Sequence, residues 1–230
     1  MSALEQTSPA EAGRSSGKRP PLPIDRRSLN VPNILTLSRF VLSLVLFVLI
    51  DYDGWWRLSA ALFIVAASTD FLDGYYARKY GQVTVLGRVL DPFVDKIIIC
   101  GSFIFLLRYP LSGVTTWMVF VIIGREMFVT SLRAILERHG TDFSAKWSGK
   151  IKMILQCVAV PVSLFSLSPE FREDISPIIS PAAFDTFRDA FLWATVLFTL
   201  YSGVEYTVRG FRLLNQSIRE KTIDEQIRPS

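Results

Sequence analysis

Between Asp70 and Lys96 the sequence reads DFLDGYYARKYGQVTVLGRVLDPFVDK, and no other stretch limits the possible folds so strongly. Four aspartates, Asp70, Asp73, Asp91 and Asp95, stand between an apolar run at residues 58–67 and another at 97–107. Periodicity predicts a helix on each flank. Asp70, Asp73, Gly74, Ala77 and Arg78 fall at i, i+3, i+4, i+7 and i+8, a single helix face; Gly87, Asp91 and Asp95 fall at i, i+4 and i+8 on a second helix. Two antiparallel helices joined by a short connection would turn four carboxylates toward one point. Two such charges about 4 Å apart repel by about 4 kcal/mol at an effective dielectric near 20. A divalent cation, or a pair, removes that repulsion, and all-oxygen ligands favour Mg²⁺, Mn²⁺ or Ca²⁺ over zinc. An aspartate at the centre of a membrane helix costs roughly 2.5–3.5 kcal/mol on insertion scales, so intramembrane acids on two stripes read as a functional site.

Half of the 230 residues are hydrophobic and a fifth are charged. That mixture suits a polytopic membrane protein with its charges confined to loops and a buried site. The expected fold is an all-α membrane protein, a bundle of six transmembrane helices near residues 34–50, 58–76, 91–107, 114–136, 151–167 and 191–209. Basic residues crowd the N-terminal tail, the 78–88 and 138–152 connections and the C-terminal tail, which puts both termini and all four aspartates on the cytoplasmic side. Residues 1–30 read as a disordered and juxtamembrane segment, retained rather than cleaved, 31–212 as the six-helix domain, and 213–230 as a cytoplasmic tail. Trp55 and Trp56 read as interfacial anchors, and 168–189 as a loop. Pro92 requires the first turn of its helix or a local kink. Cys100 and Cys157 lie in apolar runs and imply no disulfide framework. The chain has one histidine, His139, which excludes phosphatidyl transfer by a histidine pair. Nothing in the net charge of +4 signals nucleic acid.

Other polar residues interrupt apolar segments. Asn33, Thr36 and Arg39, at i, i+3 and i+6, read either as helix capping and snorkelling or as the polar rim of a ligand site. Arg125 lies roughly 16 Å into its segment at 1.5 Å per residue, and shares a face with Arg133. Its alternatives are an ion pair with another helix or a ligand phosphate, and the guanidinium fork favours phosphate. Lys146 reads as a solvated charge; Lys150 and Lys152, at the mouth of the fifth segment, fit either role.

The pattern D-x2-D-G-x2-A-R-x8-G-x3-D-x3-D resembles the motif of the CDP-alcohol phosphotransferase family at every position: Asp70, Asp73, Gly74, Ala77, Arg78, Gly87, Asp91 and Asp95. Pro32-Asn33, Thr36 and Arg39 are similar to the family's first-helix opening, which favours the ligand-rim reading. The resemblance implies Asp70, Asp73, Asp91 and Asp95 as ligands to Mg²⁺ or Mn²⁺, with two ions expected, and Asp95 also as the general base. It implies a nucleotide site made by Asn33, Thr36, Gly74, Ala77, Arg78 and Gly87, with CDP-diacylglycerol as donor, and a homodimer in a bacterial cytoplasmic membrane. Gly124-Arg125-Glu126 with Leu132-Arg133, then Gly149, Lys150, Lys152 and Gln156, resemble the members that use sn-glycerol 3-phosphate. Arg125, Arg133, Lys150 and Lys152 are the expected holders of that acceptor's phosphate. Met153 departs from the threonine expected there. The near alternative is a sibling reaction with inositol phosphate, or with phosphatidylglycerol to make cardiolipin. The distant one is a divalent-cation transporter, for which Gly74, Ala77 and Arg78 have no use.

Overall fold

The computed structural model describes the backbone of residues 31–80, 85–138 and 147–227, and side chains over 34–69, 90–137 and 147–216. Among the described residues the chain is helical, with no strand. Its helices are α1 (Val31–Asp51), α2 (Trp56–Tyr80), α3 (Val85–Leu106), α4 (Thr116–Arg138), α5 (Trp147–Leu167), α6 (Pro169–Ile175) and α7 (Pro181–Ile227). Among the described residues, two stretches, Ile34–Asp51 and Trp147–Leu167, are long and apolar enough to cross a membrane.

Helix starts follow local chemistry. Pro32 lies in the first turn of α1, where its missing N–H is not needed. Ser-Pro opens both α6 and α7: Ser168 Oγ accepts from the Phe171 N–H at 3.2 Å, and Ser180 Oγ accepts from the Ala183 N–H at 3.3 Å. The stretch expected as a loop at 168–189 therefore holds a short helix and the beginning of α7. That helix also continues to Ile227, through the stretch expected as a cytoplasmic tail of frayed helix. In the same way α3 starts at Val85, ahead of Asp91, so Pro92 sits in the helix interior and not in its first turn.

α1 packs against α2 and α3, α5 against α2 and α7, and α4 against α7. The main core gathers Leu46, Ile50, Phe63, Phe103, Leu106 and Leu164, all buried. At Gly101 a Cβ would lie 2.3 Å from Phe47 Cζ, so glycine permits the close approach of α3 to α1. Serines and threonines are buried with this core, and several satisfy themselves on their own helix. Ser43, Ser59, Ser102 and Thr195 each donate to a carbonyl three or four residues back. Large apolar side chains face outward, among them Val41, Val48, Phe120, Phe128, Trp193, Leu197 and Val204.

One end of the bundle is fastened by charge. Arg108 pairs with Asp51 and Arg57 with Asp174. Arg188, buried, reaches Asp185, Asp189 and the Leu111 carbonyl. Gly113, at φ 75°, leaves room there: a Cβ would lie 2.5 Å from Arg188 Nε. Trp56 belongs to this end as packing and not as an exposed anchor. It is buried and meets the Tyr109 ring edge-on at 4.7 Å, while its neighbour Trp55 is exposed.

Candidate active site

The opposite end of the bundle holds the site. On α1, Thr36 and Arg39 stand three residues apart; on α3, Asp91 and Asp95 stand four apart, so the two pairs meet across one interface. Thr36 Oγ1 donates to Asp91 Oδ1 at 2.5 Å, and Arg39 Nη1 to Asp95 Oδ1 at 2.7 Å. The Arg39 side chain is 2% exposed and that of Asp95 27%, so the arginine is locked into the protein while the carboxylate reaches open space. A cation held this rigidly fixes the rotamer of the acid it pairs with.

That open space is a cavity of about 550 Å³ between α3, α4 and α5. Asp95 and Lys96 line it from α3, Arg125, Glu126 and Arg133 from α4, and Lys152, Met153 and Gln156 from α5. Glu126 organises the basic wall: it accepts from Arg125 Nη1 at 3.2 Å and also pairs with Lys152. Arg125 is steadied further from α7, donating to Ser202 Oγ at 3.1 Å and lying 5.5 Å over the Tyr206 ring. Arg133 is less committed. Its Nε, like that of Arg125, is buried without a hydrogen-bond partner, and among the described residues no contact to Glu126, Ser202 or the Tyr206 ring holds it as they hold Arg125. Lys150, by contrast, is exposed and lies 5.2 Å over the Trp147 ring, away from this lining.

Asp91 and Asp95 stand one turn apart, both only partly buried, and offer carboxylate oxygens, which fits a hard divalent cation. No group of three acidic, histidine or cysteine side chains meets among the described residues. Asp70 and Asp73, the other two carboxylates of the expected set, lie outside the described side chains, as do Asn33, Gly74, Ala77, Arg78 and Gly87. The backbone of residues 70–80 is helical and continues α2.

Sequence reasoning gave no separate role to two members of the lining, Glu126 and Lys96. Glu126 is adjacent to Arg125, and adjacent residues on a helix point apart; only the flexible arms of Arg125 and Lys152 bring the three together. Lys96 follows Asp95 directly, and its Nζ donates to Thr130 Oγ1 at 2.5 Å. Arg39 was legible as a polar intrusion, but its partner on α3 depends on how α1 and α3 pack.

Comparison with known proteins gives the family. Residues 29–201 match the family of CDP-alcohol phosphatidyltransferases. The chain is similar to the CDP-diacylglycerol–glycerol-3-phosphate 3-phosphatidyltransferase of Bacillus subtilis (strain 168), with 37% identity over 202 residues, 82% of this chain and 98% of the relative. A protein of the same name from Rickettsia felis is 31% identical over 179 residues, 77% of this chain and 93% of the relative. Another, from Escherichia coli (strain K12), is 35% identical over 136 residues, covering 57% and 74%. With an acid on one wall of a membrane-type helical bundle, a basic wall facing it and a match over most of its length, this chain belongs to the CDP-alcohol phosphatidyltransferase family.

Proposed function

We propose that the protein transfers the phosphatidyl group of CDP-diacylglycerol to sn-glycerol 3-phosphate, giving phosphatidylglycerophosphate and CMP for phospholipid synthesis. The observation that carries this reading is the single cavity lined by Asp95 on one side and by Arg125, Arg133 and Lys152 on another. An acceptor that must be deprotonated at one end and held by a phosphate at the other fits such a lining. Uncharged acceptors give the basic wall no use.

In this reading Asp95, oriented by Arg39, takes the proton from the acceptor's primary hydroxyl. The freed oxygen forms a bond to the phosphorus that carries diacylglycerol, and the bond from that phosphorus to the oxygen of CMP breaks. CMP leaves with the electron pair. Arg125, Arg133 and Lys152 hold the acceptor phosphate, with Lys150 at the mouth. Asn33, Thr36, Gly74, Ala77, Arg78 and Gly87 form the nucleotide side. Asp70, Asp73, Asp91 and Asp95 would hold Mg²⁺ or Mn²⁺, as two ions, which when bound neutralise the diphosphate and the charge developing on CMP. No histidine or cysteine nucleophile is needed, so transfer is direct.

Six of the helices, α1 to α5 and α7, are assigned as membrane crossings, with both termini and the site on the cytoplasmic side of a bacterial inner membrane. The outward apolar side chains, and buried serines and threonines that bond to their own helices, support a lipid surround. The working unit is taken as a homodimer, as the family resemblance implies. The test is CMP release by purified protein from CDP-diacylglycerol with a panel of acceptors. Release with sn-glycerol 3-phosphate, and not with serine, inositol phosphate or phosphatidylglycerol, is expected. Preference for any of the others would replace the acceptor assignment.

A further inference from the structure

Gln156 follows Lys152 by one turn on α5, lines the same cavity and is 0% exposed. Its amide orientation is set by chemistry. Thr199 Oγ1 donates its proton to the Thr195 carbonyl at 2.7 Å, so toward Gln156 it can only accept, and Gln156 Nε2 donates to it at 3.4 Å. That leaves Gln156 Oε1 buried and without a hydrogen-bond partner. A buried carbonyl oxygen without a donor is costly, and such groups in folded proteins are nearly always satisfied.

The ligand that satisfies it must bring a donor. Phosphate and carboxylate oxygens accept only, so they cannot. On the cavity wall, Arg125, Arg133 and Lys152 are the cations assigned to the acceptor phosphate, and Lys96 donates to Thr130 Oγ1. A hydroxyl group is the complement. The step from Lys152 to Gln156 is about 6 Å along α5, on the scale of a three-carbon phosphate.

We propose that Gln156 is a specificity-determining residue whose Oε1 accepts a hydrogen bond from the secondary hydroxyl of sn-glycerol 3-phosphate. This rests on the acceptor assignment made above. Three contacts then read the whole acceptor: cations for the phosphate, Gln156 for the secondary hydroxyl and Asp95 for the primary one. Thr199 acts as a positioning residue by holding the amide with its oxygen available.

The experiment compares kcat/KM for sn-glycerol 3-phosphate and for 3-hydroxypropyl phosphate, which keeps the phosphate and primary hydroxyl but lacks the secondary one. Full-length protein in mixed micelles with CDP-diacylglycerol and Mg²⁺ is used, and each ratio is internal to one preparation. The wild-type protein is expected to prefer glycerol phosphate by about tenfold, the size of one hydrogen bond. In Gln156→Leu the preference should shrink to about twofold or less, and in Thr199→Val it should fall between the two. Equal use of both compounds by the wild type, or an unchanged preference in Gln156→Leu, overturns the proposal. Should Gln156→Leu fail to fold, Thr199→Val decides: a reduced preference supports the role and an unchanged one overturns it. A wild-type protein that uses neither compound overturns the acceptor assignment itself, and this inference with it.

Discussion

Arg125 and Arg133 share a helix face and a cavity, yet their surroundings separate them. Both keep a buried Nε without a hydrogen-bond partner, but only Arg125 is also tied to Glu126, Ser202 and Tyr206. Arg133→Ala is therefore expected to raise the KM for sn-glycerol 3-phosphate by roughly ten- to a hundredfold, the loss of a charge-assisted hydrogen bond. Its melting temperature in detergent should change little. Arg125→Ala should show the same rise in KM together with a lower melting temperature, because three packed partners lose their contact. Unchanged acceptor KM in both variants would make the arginines structural. Asp95→Asn tests the other wall: turnover should collapse while CDP-diacylglycerol binding, measured by equilibrium titration, is retained, since the proton moves only as the acceptor attacks. A parallel loss of binding would make Asp95 chiefly a metal ligand. At this scale the sequence announced which residues were out of place in an apolar chain. It could not announce that Arg39 would meet Asp95 or that Glu126 would join Arg125 to Lys152, because those pairings are set by packing between helices.

Helices are defined by backbone hydrogen bonds, whereas apolar runs mark only the part of a helix that faces other apolar groups. This explains why the expected segments were found in the right order with some ends misjudged. α3 begins in a polar stretch, and α7 begins at a Ser-Pro pair that also reads as a turn until Ser180 is seen capping Ala183. The connection between α3 and α4 was legible only as a turn. In it, Tyr109 donates its hydroxyl to the Ile50 carbonyl at 2.8 Å and packs its ring on Trp56, clasping the α1–α2 hairpin. Burial, with the Asp53 carboxylate nearby, pushes the Tyr109 phenol up to about 12. A free tyrosine titrates near 10. The folded form thus holds the proton more tightly: the contribution of Tyr109 to stability is complete below about pH 10 and is lost as pH rises toward 12. Tyr109→Phe is expected to cost about 1 kcal/mol at neutral pH and to flatten the decline between pH 10 and 12, measured by denaturation across that range. An unchanged alkaline decline would place its origin elsewhere.

For the molecule as a whole, serines and threonines are buried among an apolar core, large apolar side chains also cover the outside, and charge is gathered at the two ends. One end is closed by ion pairs among Asp51, Arg108, Arg172, Asp185 and Arg188; the other keeps its charges around a cavity. Of the eight motif positions, Asp91 and Asp95 lie at that second end and the other six lie outside the described side chains, while the family match covers residues 29–201. Metal-dependent phosphatidyl transfer by Asp70, Asp73, Asp91 and Asp95, as proposed above, makes CMP release from CDP-diacylglycerol and sn-glycerol 3-phosphate the decisive assay in protein stripped of metal. No release in excess chelator, recovery on adding Mg²⁺ or Mn²⁺, and near-complete loss of that recovery in Asp70→Asn, Asp73→Asn and Asp91→Asn are predicted. Full turnover in excess chelator would contradict the account.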